Sequence, residues 1–226
     1  APDAIKDADI KVKEVEYNKT TPSDDCHKGS VGKVLVAAGS VGMTGAAYIA
    51  SMSALKSGSG VVTLCIPQSL NSIMEQKLTE VMTVPVSEID GRMSFDAVVQ
   101  VAEETKKYDC LVIGCGLGSS ENTKAFVNGV LKAVECPVLI DADGLNVLDK
   151  NILKYINNHV VITPHLGEMA RLTGFGIEYI KNNLCEVARS FAMEYKVSVV
   201  LKCATTVVAF PDGEIYVNTK GNSGMA

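Results

Sequence analysis

The sequence predicts a doubly wound α/β fold, with a mostly parallel central sheet and helices on both faces. Three observations lead there. Apolar, β-rich runs alternate with segments of helical period along most of the chain. Several runs (KVLVAAG, CLVIGCG, PVLIDAD) are continuously apolar, as strands are when both of their faces are covered. Turns carrying Gly, Asp and His follow these runs, at the carboxyl edge where such sheets gather ligands.

Taken in order, residues 1–26 are polar and read as a lead-in segment. Strands are expected over 33–39, 60–67, 81–86, 110–116, 137–143, 160–163 and 198–203. Helices are expected over 45–57, 94–108, 122–134, 166–172 and 177–196, where apolar residues recur near i, i+3, i+4 and i+7. The stretch TVVAFPDGEIYVNT differs, because two short β runs flank Asp212-Gly213, which is a hairpin signal. No repeat, low-complexity tract or linker interrupts 27–226, so that region reads as a single domain.

Composition narrows the function classes. With 226 residues, 47% hydrophobic and 21% charged, the chain can bury a substantial core. A net charge of -5 argues against nucleic acid or an anionic membrane surface as partner. No apolar run approaches the roughly 20 residues that span a bilayer. The opening APDAIKDADIKVKEVEYNKT lacks the apolar centre of a secretory signal. Seven cysteines without a CxxC pair suit reduced thiols in a cytoplasmic setting better than disulfides or zinc.

The strand-end motifs carry the chemistry. GSVGMTGAA (39–47) permits positive φ and close ligand approach before a helix whose N-terminus attracts anions, but it would serve equally as a tight strand–helix turn. It is not a GxxxxGK[ST] phosphate loop. GCGLG (114–118) lacks GxGxxG spacing and a partnering acidic residue; a plain turn and a ligand loop both stay open. DADGLN (141–146) places two carboxylates at a strand end, suited to Mg²⁺ through water or to tuning a neighbour's pKa, while Asp143 or Asn146 is expected to cap the next helix. In TPHLGE (163–168), Pro164 disfavours helix at Thr163 and sets His165 at the rim. Glu168 then falls in the first helical turn, where negative charge is favoured.

Seven stretches in order across residues 26–226 resemble the carbohydrate-kinase-like NAD(P)H-hydrate dehydratase family of the ribokinase-like superfamily. They are HKGSVGKVLVAAGSVGMTGAA, ALKSGSGVVT, LVIGCGLG, VLIDADGLNVL, VITPHLGEMARL, VVLKCATTVV and GNSGMA. Members repair hydrated NADH or NADPH by dehydrating it at the expense of ADP or ATP. The ring hydroxyl is a poor leaving group until phosphorylated; the ring nitrogen's electrons then help to expel phosphate. The protein's work is therefore mainly positioning and charge stabilisation. The resemblance implies that Gly45, Ala46 and Gly118 line the hydrate site and that His165 donates a polar contact there, orienting substrate rather than acting as a base. Glu168 is similar to the superfamily glutamate near Mg²⁺ and phosphate, acting through water. Asp141 and Asp143 match positions serving metal and phosphate. Lys202, Cys203, Ala204, Thr205 and Thr206 match the nucleotide-binding run, joined by Asn222 and Gly224. Implied cofactors are ADP or ATP with Mg²⁺; implied partners are NADH or NADPH hydrate and further copies in a homo-oligomer.

Two departures accompany this resemblance. Cys203 stands where the run usually has glycine, which bears on how closely backbone can approach a nucleotide. The family pattern also continues past GNSGMA into a Gly-rich anion hole ending Gly-Asp, whose Asp is the general base. The catalytic carboxylate is thus expected beyond Ala226, and a polypeptide of residues 1–226 is expected to bind nucleotide weakly at best and to leave the hydrate intact. APDAIKDADI resembles the tail of the epimerase domain that many members carry N-terminally, so 27–226 is expected to be the dehydratase part of a longer, bifunctional polypeptide. Two other readings stand beside this one. A ribokinase-like kinase of a small vitamin precursor would leave phosphate on its product, and a nucleotide-binding module would have no catalysis.

Overall fold

Ten strands form one sheet in the computed structural model, which describes residues 12–14, 25, 28–156 and 159–218. The first half runs β1 (Val12–Glu14), β2 (Lys33–Ala37), α1 (Thr44–Lys56), β3 (Val61–Pro67), α2 (Asn71–Lys77) and β4 (Met82–Val86). A small hairpin, β5 (Glu88–Ile89) and β6 (Arg92–Met93), precedes α3 (Ala97–Thr105), β7 (Cys110–Ile113) and α4 (Glu121–Ala133). Then come β8 (Val138–Ile140), a single turn α5 (Asp143–Asn146), β9 (Val160–Ile162), α6 (Leu166–Thr173), α7 (Ile177–Asn182) and α8 (Leu184–Tyr195). The chain continues through β10 (Ser198–Leu201), β11 (Thr206–Ala209) and β12 (Ile215–Asn218).

The order across the sheet is β1-β12-β11-β10-β9-β8-β7-β2-β3-β4. From β10 to β4 every neighbouring pair is parallel, and on the other side the β11–β12 hairpin adds antiparallel, as Asp212-Gly213 predicts, before the edge strand β1. Gly213 turns at φ +87, a conformation costly for a residue with a Cβ. Progress along the chain moves one way from β2 to β4 and the opposite way from β7 to β10. The reversal lies between β2 and β7, where loops must diverge and leave a crevice.

The alternating side chains of β2 show why its sequence is apolar throughout. Val34 and Val36 join a core cluster with Ala47 of α1, Met74 of α2 and Leu64 of β3. Leu35 and Ala37 face the other way, into a cluster with Val101 of α3, Phe126 of α4, Met169 of α6 and Ala188 of α8. Both faces are helix-covered here, as the doubly wound reading requires. On the α1 side the cluster stops at Val112 and Cys115. Leu139, Val161, Val200, Val208 and Tyr216 continue that face as a half-buried ladder.

Some local expectations need correction. The helix expected over 177–196 is broken into α7 and α8 at Asn183, which sits at φ -132, ψ 40 and donates its side-chain amide to Tyr179 O at 2.8 Å. The strand expected over 137–143 ends at Ile140, because the DAD stretch turns sharply instead of extending. Helix α2 and the β5–β6 hairpin were not expected. The hairpin carries the signal nonetheless: Asp90-Gly91 takes φ 51 and 68, as a tight hairpin turn demands. Of the lead-in residues, 12–14 form an edge strand parallel to β12, and most others lie outside the described residues. No helix among the described residues is long and apolar enough to cross a membrane.

Candidate active site

The crevice between β2 and β7 is framed by two loops tied to each other by backbone. Gly39 N donates to Cys115 O at 2.9 Å, and the buried Ser40 hydroxyl donates to Gly116 O at 2.9 Å. Gly116 lies against the start of α1: a Cβ there would meet Ala46 Cβ at 2.8 Å and Met43 O at 3.0 Å. The first turn of α1 has no side-chain cap, so its amides face the crevice edge without a protein anion. Gly45 is exposed, and an added Cβ would meet nothing within 4 Å, so packing does not demand glycine there. Gly118, at φ +74, closes the other loop beside Met43 and Arg92. Gly45, Ala46 and Gly118 are thus brought to one place.

The DAD stretch stands next to it. Ala142 adopts φ 50, ψ -121, a region nearly reserved for glycine, and this turns the flanking carboxylates apart. Asp141 Oδ1 accepts from Thr163 Oγ1 and from Lys202 Nζ, each at 2.7 Å. Burial pushes the Asp141 carboxyl up, but hydrogen bonds from Lys202 and Thr163 outweigh it and hold the group below the usual carboxylate range. Asp143 Oδ2 instead accepts the Gly118 amide at 2.9 Å. The expected capping by Asp143 or Asn146 does not occur. Ala142 occupies the cap position of α5 with no side-chain bond, and Asn146 donates to Asp143 Oδ1 at 3.2 Å.

His165 sits at the rim as Pro164 predicts, in an extended conformation (φ -80, ψ 173) that starts α6. Its Nδ1 accepts from Gly167 N at 2.9 Å and Glu168 N at 3.2 Å. A nitrogen that accepts two amide bonds carries no proton, so the ring hydrogen is on Nε2. Glu168 completes a capping box, accepting His165 N–H on Oε2 at 2.7 Å, with Oε1 3.4 Å from Nε2. The histidine side chain is 55% exposed and the glutamate only 5%. Glu168 therefore points both oxygens at His165 and is not open for direct metal ligation. Among the described residues no group of three or more His, Cys, Asp or Glu could hold a metal ion.

Lys202 joins His165 through an isolated parallel bridge, and its amide donates to Pro164 O at 2.8 Å. Residues 203–205 then turn the chain into β11. Thr206 Oγ1 donates to Cys203 O at 3.3 Å, Thr205 is buried, and Ala204 is exposed. Cys203 does not take positive φ, so replacing the expected glycine imposes no backbone strain. Asn222 and Gly224 lie outside the described residues. Cys65, Cys110, Cys115, Cys136, Cys185 and Cys203 form no disulfide. Burial, then the Asp141 charge, pushes Cys115 up to about 11, which keeps this rim thiol protonated near neutrality. Thr163 and Arg92 were missed as site residues. Thr163 lies inside the motif that marks the rim, whereas Arg92 carries no signal beyond the Asp-Gly turn before it.

Three comparisons bear on this geometry. A protein-family model described as NAD(P)H-hydrate dehydratase matches residues 34–226. A bifunctional NAD(P)H-hydrate repair enzyme Nnr of Moorella thermoacetica is 41% identical over 203 residues, covering 88% of this chain but 38% of that protein. An ADP-dependent (S)-NAD(P)H-hydrate dehydratase of Bacillus subtilis is 34% identical over 216 residues, covering 94% of this chain and 74% of that one. The crystal structure of an ADP/ATP-dependent NAD(P)H-hydrate dehydratase from Bacillus subtilis, co-crystallized with ATP/Mg²⁺, gives a TM-score of 0.73 at 31% identity. That match covers 89% of this chain and 69% of the other. The chain spans under half the length of the bifunctional relatives it matches.

The Ala142 conformation has a measurable cost. Ala142→Gly is expected to raise stability by about 1 kcal/mol, because relief of strain exceeds the extra freedom glycine gives the unfolded chain. A denaturation midpoint at or below that of the unaltered protein would show that residue 142 is unstrained.

Proposed function

The chain belongs to the NAD(P)H-hydrate dehydratase family and has its ribokinase-like fold, and from that premise we propose that it dehydrates hydrated NADH or NADPH with ADP or ATP as phosphoryl donor. The hydrate ring lies against Gly45, Ala46 and Gly118, with His165 Nε2–H as an orienting donor. The nucleotide lies along Lys202, Cys203, Ala204, Thr205 and Thr206, with Asn222 and Gly224 assigned to the same subsite by resemblance. The observation that carries the reading is the convergence of the two sets. Gly118 is held by Asp143, Lys202 is held by Asp141, and one strained residue separates those carboxylates.

Transfer of the terminal phosphoryl group to the ring hydroxyl yields a phosphate ester. The ring nitrogen's lone pair expels phosphate, and loss of a proton from the neighbouring ring carbon restores the dihydropyridine. This chain supplies the uncapped first turn of α1 and the Lys202 ammonium, both suited to charge that develops on phosphoryl oxygens. Asp141, Asp143 and Glu168 each hold donors from the chain itself, so none is assigned as the general base. Glu168, engaged with His165, would act on Mg²⁺ only through water, and no step is assigned through the ion. The reading extends to a longer polypeptide with an epimerase domain, supported by relatives named as bifunctional repair enzymes, and thiols outside disulfides support a cytoplasmic setting. It extends also to a homo-oligomer, supported by the exposed Val41, Tyr48 and Ile49 at α1.

Three measurements test these statements. Incubating the full-length protein with NADPH hydrate and ADP should restore the near-ultraviolet absorbance of reduced nicotinamide and release one AMP and one phosphate per turnover. A stable phosphorylated product would favour the vitamin-precursor kinase reading instead. His165→Asn keeps a capping acceptor but removes the Nε2 donor, so the hydrate KM should rise about 2–10-fold with the melting temperature preserved. His165→Ala should show the same KM change plus about 1 kcal/mol of lost stability; an unaltered KM in both variants would remove His165 from the substrate site. Light scattering should give a multiple of the chain mass, reduced to one chain by Ile49→Glu; a monomeric unaltered protein would refute self-association.

A further inference from the structure

Arg92 is a charged group without a charged partner among the described residues, and it sits at the hydrate half-site. It belongs to β6, whose hairpin is locked to the crevice by Val41 N donating to Gly91 O at 3.0 Å. A Cβ on Gly91 would fall 2.1 Å from Val41 Cγ2, so the contact is close and the hairpin has little freedom to lift. The Arg92 stem crosses Gly118: a Cβ on that glycine would meet Arg92 Nε at 2.9 Å and Cδ at 3.6 Å. The guanidinium makes one long bond, Nη1 to Asp90 O at 3.5 Å, and among the described residues no carboxylate pairs with it. Its Nε is buried without a hydrogen-bond partner.

Leaving such a donor unpaired costs free energy, and guanidinium geometry matches two phosphate oxygens at once. The hydrated dinucleotide carries its pyrophosphate a short distance from the ring. Resting on the proposed function above, we propose that Arg92 binds the substrate's pyrophosphate, beside the ring held by Gly45, Ala46 and Gly118. Arg92 is then a specificity residue. It favours a dinucleotide over any small alcohol lacking phosphates, which is where the repair reaction parts from kinases of vitamin precursors. The contact is to the pyrophosphate and not to the 2′-phosphate, so NADH hydrate and NADPH hydrate depend on it alike.

Arg92→Met is the informative variant, since it keeps the stem over Gly118 and removes the charge together with the orphan Nε donor. Titrating NADH hydrate and NADPH hydrate separately, without nucleotide, should show both affinities weakened about 10–100-fold, the worth of one charge-assisted, bidentate contact. ADP affinity should stay within about twofold, because a group removed from one subsite leaves a distant contact set intact. The melting temperature should hold or rise, an outcome opposite in sign to the binding loss that a merely structural arginine would not produce. Arg92→Lys should recover part of the affinity. Unchanged hydrate binding in Arg92→Met would overturn the proposal, as would a loss confined to NADPH hydrate or an equal loss for ADP. Failure of the unaltered protein to bind either hydrate would sink the functional reading as well, whereas binding that ignores Arg92 sinks this inference alone.

Discussion

Parallel pairing of β2 with β7 is the constraint on which the site depends. These strands are neighbours in space although Ser40 and Gly116, which follow them, are 76 residues apart in sequence. Since the chain leaves β2 toward β3 and leaves β7 toward β8, the loops after them separate in opposite directions. Where the loops meet, Gly116 packs against Met43 and Ala46, and a Cβ on it would crowd both. Ser40 ties the two loops together, and the β5–β6 hairpin docks on the same loop through Val41.

Around this joint the carboxylates look inward and the donors look outward. Asp141 holds Lys202 and Thr163, Asp143 holds the Gly118 amide, and Glu168 holds the His165 amide. Each acid therefore stiffens a loop, and the remaining rim presents amide groups, an imidazole N–H, a lysine and an arginine. A polar surface so arranged suits ligands rich in phosphate, although the whole chain carries a net charge of -5. The local balance decides recognition here, and the global charge bears on solubility.

The alternation of runs was enough to read the fold, because strands covered on both faces leave continuous apolar stretches such as residues 33–37. The rim was legible as a position: glycines, Asp141 and His165 each follow a strand, although glycine and Asp suit plain turns as well. Less legible was what the acids do. Sequence places Asp141 and Asp143 two residues apart, on one edge, and only the left-handed Ala142 sends one toward β10 and the other toward β7. Glu168 reads from sequence as an acid near Mg²⁺ through water, and its capping box with His165 was not legible, since it depends on a helix starting at one particular residue. Arg92 could not be found at all by spacing. Its place beside Gly118 arises from a hairpin docking on the loop after β2, a contact that no local pattern encodes.

Gly114 illustrates how little room such a rim leaves for change. It takes φ +132, and a Cβ there would stand 1.9 Å from the carbonyl oxygen of Asp141, a backbone atom that no rotamer can move aside. Any substitution at this position inserts at least one carbon between the ends of β7 and β8 and forces them apart. Neutral drift is thus closed at 114 while it stays open at Gly45, where an added methyl meets nothing of the protein itself. Selection at the first would act through the fold, and at the second only through the molecule that binds.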